Sequence, residues 1–445
     1  MNDAFDLVLF GGNVVRPDGI HRADVGIREG RFAAFGDLRT ALAAESVDVS
    51  GLTLLPGLID TQVHFREPGM EHKEDIESGT RAAVFGGVTS IFEMPNTAPP
   101  TTTAMALSDK LLRAKGRAWC DYGFFVGASP DNVGQLAELE KAPGSPGVKI
   151  FMGSSTGTLL VPDDETLRQV LMAGERRTPV HSEDHMRLEA LKGSIESPKV
   201  MDHPRLRDPE TALRATRRLL RLARETGRPV HVLHISTEEE LALIEESRGD
   251  SGVDATWEVT PQHLYFSAPE CYERLGTLAQ MNPPIRDARH QLALREAVRR
   301  GLFDVFGSDH APHTLEEKAQ PYPQSPSGMP GVQTMLPVLL QFVRESLIDL
   351  PTLVRMTSAR PAELYGITSK GKMEVGYDAD VAVVDLDAEW TFERSMVQSK
   401  CGWSPYEGAR LVGRPIHTLI RGQFAFRDGA AGRGSLGEPV RFDWK

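Results

Sequence analysis

Apolar positions along this chain follow two different rhythms, one at its ends and one in its middle. Residues 5–10, 14–16, 24–28 and 52–55 form short apolar segments between turn residues, and Arg28-Glu29-Gly30-Arg31 reads as a hairpin turn. The far end behaves likewise, with candidate strands at 380–385, 417–421 and 424–427. Two β-rich ends around a different middle predict one composite β domain built from residues 1–56 and 370–445. Between them, residues 57–369 carry continuous apolar runs at 58–63, 89–94, 122–126, 148–152, 179–181, 229–235, 255–259 and 303–307. Polar stretches of helical period separate these runs, as at 107–115, 164–174, 211–226 and 289–300. Eight such strands alternating with helices predict a parallel (β/α)8 barrel in preference to an open sheet. Parallel strands are covered on both faces, which is why they read as unbroken apolar runs. Residues 321–330, rich in Pro, Ser and Gly, read as a loop at the barrel mouth.

The polar residues that interrupt or end these runs are the candidates for chemistry. Gln62 and His64 stand one residue apart at the end of the first run and so share a face. Lys149 interrupts the fourth run, His181 and Glu183 end the fifth, and His234 and Ser236 end the sixth. Gln262 and His263 follow the seventh, and Asp309 ends the eighth. In a barrel the carboxyl ends of the strands open on one mouth, where active sites are built. A single strand-end histidine is ordinarily a hydrogen-bonded structural residue, as His231 on the opposite face of its strand is expected to be. Three histidines and an aspartate at the same end of four strands read instead as metal ligands. Lys149 would be an ammonium in a buried strand, costly unless paired with an acid or chemically altered. A lysine carbamate formed with CO2 would offer two oxygens able to bridge two cations.

Composition narrows the class. The 445 residues are 40% hydrophobic and 25% charged, ordinary for a globular chain. No apolar run approaches the ~20 residues that a membrane span needs. A net charge of −12 argues against nucleic acid as a partner, since phosphate binding needs a basic patch. Cys120, Cys271 and Cys401 are odd in number and far apart, so neither a disulfide framework nor a CxxC metal site is implied. Met1 to Asp6 show no basic stretch leading into an apolar one, so a cytoplasmic location is expected. With no glycine-rich nucleotide motif either, the expected ligand is a small molecule handled without an organic cofactor.

At these residues the chain resembles a known family. Gly57-Leu58-Ile59-Asp60-Thr61-Gln62-Val63-His64-Phe65-Arg66-Glu67-Pro68-Gly69 resembles the metal motif of the amidohydrolase superfamily, and its Arg-Glu-Pro-Gly ending is similar to the dihydroorotase version. Gly86-Gly87-Val88-Thr89 with Met94-Pro95-Asn96-Thr97 resembles a second dihydroorotase block. His234-Ile235-Ser236-Thr237, Asn282-Pro283-Pro284-Ile285-Arg286 and Ser308-Asp309-His310-Ala311-Pro312-His313 with Glu316-Glu317-Lys318 are similar to later blocks. Gly376-Tyr377-Asp378-Ala379-Asp380 resembles the return of the chain into the β domain. The blocks come in order and span nearly the whole chain.

The resemblance implies zinc, as one or two ions, with other divalent metals as alternatives. His64 and Asp309 would hold one ion and His181 and His234 the other, with carboxylated Lys149 as the bridge. It implies that Arg66, Asn96 and His313 grip a substrate carboxylate, while Asn282 and the Ser327-Gly328 loop contact the ring. A cationic fork with neutral donors is also what a carboxylate requires; the plain alternatives are an Arg66 surface pair with Glu67 or Glu71 and Asn96 as a turn residue. The implied reaction is reversible hydrolysis of L-dihydroorotate to N-carbamoyl-L-aspartate in pyrimidine synthesis. A metal-bound hydroxide would attack, and Asp309 would carry the proton to the departing ring nitrogen.

Two departures stand out. Where the family has His-x-His this chain has Gln62-Val63-His64, and where a His-His pair is usual it has Gln262-His263. An amide oxygen is a poorer zinc ligand than imidazole, so Gln62 is the weakest candidate ligand and the first metal site is expected to be weakened. Another cyclic amide, such as allantoin or a hydantoin, is the alternative within enzymes, and neither carries a ring carboxylate for Arg66 and Asn96. A non-catalytic scaffold that binds aspartate transcarbamoylase, as some relatives are, is the alternative outside them. A homodimer is the remaining partner expectation.

Overall fold

The computed structural model describes residues 4–153, 159–249 and 252–443. Its centre is the expected alternation. The eight runs become Leu58–Val63, Val88–Glu93, Asp121–Phe124 with Val126–Gly127, Val148–Phe151, Thr178–His181, Val230–Val232, Ala255–Val259 and Val305–Phe306. Successive strands pair in parallel. The third strand is interrupted after Phe124. Its first part pairs with the second strand, Tyr122 opposite Ile91, and its last part with the fourth, Gly127 opposite Lys149. Between the eighth strand and the first there is a single parallel bridge, Val63 to His310, where the His64 N–H donates to the His310 carbonyl at 2.7 Å. Every residue of the first, second, fourth and fifth strands is buried, as cover on both faces requires.

Helices lie between the strands and follow from local signals. The helix Pro209–Thr226 starts on Asp208, whose side chain accepts from the Thr211 N–H, with Pro209 at its first position. It ends on Gly227 at φ 71°, and it buries Ala212, Ala215, Leu219 and Leu222 along one stripe. No helix among the described residues is long and apolar enough to cross a membrane.

The two ends meet in one sheet. Thr53–Pro56 runs antiparallel to Val381–Thr391, Leu55 opposite Ala382, within a seven-stranded sheet that also holds Asn13–Arg16, Gly19–Arg22, Arg410–Ile420, Gln423–Arg427 and Ala430–Ala431. Leu7, Val14, Ile27 and Phe32 from one end cluster with Val381, Val383 and Leu419 from the other. The expected hairpin forms, Arg28 opposite Arg31, with Glu29 at φ 52° and Gly30 at φ 74° making the turn. Other features differ from expectation, and Gly19–Arg22 and Ala430–Ala431 are strands where none was expected. Ala43–Asp48 is a strand although its AAESVD sequence lacks an apolar face, because its backbone pairs in parallel with Phe5–Phe10. Val381–Thr391 and Arg410–Ile420 run longer than 380–385 and 417–421, each continuing into a less buried outer half. The sixth and eighth strands stop short, at Val232 and Phe306, just before the residues that carry the site's chemistry.

Candidate active site

The carboxyl ends of the strands surround a cavity of about 80 Å³, lined by Gln62, His64, Arg66, Asn96, Lys149, Phe151, His181, His234, Asn282, Asp309, Ala311, Ser327 and Gly328. Backbone conformation helps to aim these side chains. Arg66, His234 and Asp309 hold φ of 68°, 38° and 44°, a left-handed region that a non-glycine residue occupies only when its surroundings enforce it.

His64 has Nδ1 at 2.7 Å from Asn96 Oδ1 and Nε2 at 3.2 Å from Asp309 Oδ1. Burial holds the ring below its ordinary pKa, so it is neutral at pH 7 and carries one N–H. Given to the nearer acceptor, Asn96, that N–H leaves Nε2 and the Asp309 carboxylate as two electron-pair donors facing each other. His181 and His234 repeat the arrangement. His181 Nε2 lies 2.7 Å from Glu183 Oε2, and its Nδ1 lies 3.0 Å from His234 Nε2. Burial pushes Glu183 up, but Arg207 bonded to both its oxygens and His181 beside it outweigh that and hold it well below the usual carboxylate range. A firm carboxylate thus fixes the His181 proton on Nε2 and turns the Nδ1 lone pair into the cavity. Burial keeps His181 and His234 neutral as well.

Lys149 also lines this cavity. Its Nζ sits 4.7 Å from the centroid of the Phe151 ring and forms no ion pair among the described residues, so the acid-paired alternative is not the one adopted. Burial pushes it down to about 7, against the opposing pull of Asp309 and Glu258. Two facing pairs of electron-pair donors and a near-neutral amine on one cavity are a donor set that suits a divalent cation. Among the described residues no three His, Cys, Asp or Glu side chains stand close enough to hold an ion unaided. The ligand candidates come two and two.

Gln62 takes a different role from the imidazole it replaces. Its Nε2 donates to Asp309 Oδ1 at 3.0 Å, and its Oε1 is buried without a partner among the described residues. Gln262 points away, its Nε2 donating to the Ser308 carbonyl at 2.6 Å, and His263 is held by Thr260 and the Pro283 carbonyl. His231 bonds Thr256 at 2.8 Å outside the cavity, the structural position expected for it.

Arg66 is buried, not paired on the surface. Its Nε donates to the Pro312 carbonyl at 3.1 Å, while Glu67 pairs with Arg117 and Glu71 lies near Arg113. Burial lowers it to about 10, which leaves it cationic at pH 7. His313, expected on the carboxylate site, stands behind Arg66 and off the cavity wall. Lys73 Nζ donates to its Nδ1 at 3.1 Å, which leaves the ring proton on Nε2 to donate to the Ser327 carbonyl at 3.1 Å, and Arg66 Nη2 lies 3.2 Å from the same nitrogen without a bond to it. Asn282 lines the cavity with Oδ1 3.1 Å from His203 Nε2, and Ser327 Oγ accepts from Gln280 at 3.0 Å.

Among the buried acids that went unassigned at the level of sequence, Glu258 and Asp60 bond the backbone of site residues. Glu258 in the seventh strand accepts the His234 N–H at 3.3 Å and is pushed up to about 8 by burial. Asp60 accepts the N–H groups of Gln62 and Ser308 at 3.2 and 3.1 Å and is pushed up to about 7, again by burial. Both carried the signal that singled out Lys149, an ionisable residue inside an apolar run.

Parallel strands whose carboxyl ends bring imidazoles, a carboxylate, an amine and a guanidinium onto one small cavity make a site suited to acid–base hydrolysis. The sequence profile of the amidohydrolase family matches residues 53–423, and the chain belongs to that family. It is 36% identical over 416 residues to a dihydroorotase of Methanosarcina mazei, covering 90% of each chain. It is equally 36% identical over 449 residues to an allantoinase of Rubrobacter xylanophilus, covering 98% of each. Among solved structures, the L-hydantoinase (dihydropyrimidinase) from Arthrobacter aurescens is similar at a TM-score of 0.93 and 29% identity, over 98% of this chain and 99% of that one.

Proposed function

We propose that the chain is a metal-dependent cyclic amidohydrolase that opens L-dihydroorotate reversibly to N-carbamoyl-L-aspartate, a step of pyrimidine synthesis. The observation that carries this reading is Arg66, a buried guanidinium without an acid partner among the described residues, on the same cavity wall as both donor pairs. A desolvated cation in that position calls for an anion, and a ring carboxylate supplies one. The dihydroorotase relatives support it. An uncharged ring is the second reading, favoured by the allantoinase relative's match over nearly the whole chain; it would leave Arg66 without a direct anionic partner among the described residues, with only the more distant Asp309, Glu93, Glu317 and Glu74 acting on its charge. In the proposed architecture the parallel strands wall a (β/α)8 barrel of residues 57–369, beside a β domain of residues 1–56 and 370–445.

Zinc or another divalent ion would be held by His64 and Asp309 on one side and by His181 and His234 on the other. When bound, it would polarise the ring carbonyl and lower the pKa of water. The chain's own residues do the rest. Lys149, largely free to be an amine, can attack CO2; a C–N bond forms, one proton leaves, and the resulting carbamate would offer its two oxygens as further ligands. Arg66 and Asn96 fix the ring carboxylate, and Asn282 with the Ser327–Gly328 wall sets the ring plane. Asp309 takes the proton of the attacking water as its oxygen bonds to the carbonyl carbon. It returns that proton to the ring nitrogen as the C–N bond breaks.

A charge-assisted bond to a carboxylate contributes roughly 1.5–3 kcal/mol, so Arg66→Ala should lower kcat/KM on L-dihydroorotate by about tenfold or more. The loss on dihydrouracil, which lacks the carboxylate, should be much smaller. Equal losses on both would make Arg66 structural. Gln62, spending its amide N–H on Asp309, is expected to leave the His64 side weakly metallated. Elemental analysis should find fewer than two ions per purified chain, and Gln62→His should raise that content. Two tightly held ions in the parent protein, resistant to chelator, would refute this.

A further inference from the structure

Lys318 closes the short helix Leu315–Lys318, which Thr314 caps through the N–H of Glu317. Its side chain is 0% exposed, and no carboxylate pairs with it among the described residues. An uncompensated ammonium at that depth is expensive unless every N–H is used. Here all three are matched: Nζ lies 3.0 Å from the Gln280 carbonyl, 2.9 Å from that of Pro326 and 2.9 Å from that of Gly328. Two of those carbonyls flank Ser327, and Ser327 and Gly328 both line the site cavity.

The same stretch is tied a second time by Gln280. Its Nε2 donates to the Ser325 carbonyl and to Ser327 Oγ, both at 3.0 Å; its Oε1 accepts from Ser325 Oγ at 2.7 Å, and its backbone carbonyl accepts the Gly328 N–H at 2.8 Å. Residues 325–328 have no helix or strand ladder to hold them. Gly328 adopts φ 137°, and a Cβ there would meet the Ala311 carbonyl oxygen at 2.4 Å, so the wall is pressed close against the segment that carries Asp309. One ammonium and one amide therefore set where this face of the cavity stands.

We infer that Lys318 is a positioning residue for the cyclic-amide reaction: through three backbone carbonyls it holds the Ser327–Gly328 wall at the distance that the bound ring requires. The inference rests on the hydrolase reading for its kinetic consequence but not for its structural one. Lys318 touches neither the ring nor the reacting atoms, so its loss should act on binding more than on turnover.

The test compares the parent protein with Lys318→Met. Amide hydrogen exchange should quicken in residues 325–328 of the variant and stay unchanged in the strands of the barrel wall. With L-dihydroorotate, KM should rise about tenfold while kcat changes less than about threefold, and the metal content should be the same. Unchanged exchange in 325–328 would overturn the inference, as would faster exchange throughout the chain or a kcat loss without a KM change. If neither protein turns over L-dihydroorotate, the function proposed for the site fails, and the exchange result still decides whether Lys318 holds the wall. If Lys318→Met does not fold, Gln280→Met provides the same two readouts, with a smaller KM increase expected and the same contrary results.

Discussion

Asp309→Asn should lower kcat on L-dihydroorotate by about 10²–10⁴-fold, the usual contribution of a positioned general acid–base. The substitution keeps the shape of the side chain, and an Asn oxygen can still accept the 3.0 Å bond from Gln62. It removes the carboxylate that faces His64 Nε2 at 3.2 Å and with it the group able to take a proton from water and return it to nitrogen. Metal content measured on the same preparation separates the two roles. A fall in turnover at undiminished metal content isolates proton transfer, whereas a parallel fall in both makes Asp309 chiefly a ligand. A decrease of less than tenfold in turnover would remove it from the mechanism.

Lys149→Ala is expected to have an effect of the same order. On the proposed reading, losing the Lys149 carbamate would forfeit several kcal/mol of metal-assisted stabilisation, on the order of 10³-fold in rate. The fold should survive, because the substitution removes a buried group that has no ion pair among the described residues and that burial already drives toward the neutral amine. Short carboxylic acids such as acetate or propionate would present two oxygens in place of the Lys149 carbamate. Turnover and metal content should both recover as their concentration rises. A Lys149→Ala protein with parental metal content and turnover would show that the amine plays no part.

Much of this was legible in the chain because buried parallel strands leave a strong mark. Their apolar runs were read to within a few residues, and the candidate metal ligands at their ends came together in one cavity. Gln62, His64, Lys149, His181, His234 and Asp309 line the same wall although they are spread over 248 positions, from 62 to 309. What the sequence hid was mostly orientation. Nothing in the letters places Arg66, His234 and Asp309 in left-handed backbone, since that follows from tertiary crowding. His313 reads as one more donor for a carboxylate until Ser327 and Lys73 are seen to occupy both its nitrogens. Lys318 stands last in a recognisable block, yet its task lies in three carbonyls remote in sequence or within a structureless loop, and side-chain type alone does not announce such partners. Ala43–Asp48 shows the limit for strands: where backbone pairing carries the element, the apolar pattern is silent.

The central claim is that one cavity joins a hydrolytic centre to a cationic grip on the substrate. The most direct measurement is kcat/KM of the purified, zinc-supplemented chain on L-dihydroorotate, dihydrouracil and allantoin under the same conditions. The account predicts efficient opening of L-dihydroorotate and at least about tenfold lower efficiency on the two rings without a carboxylate, the difference one charge-assisted contact makes. Preference for allantoin or dihydrouracil would contradict it, and so would no turnover of any of the three with zinc or another divalent ion present.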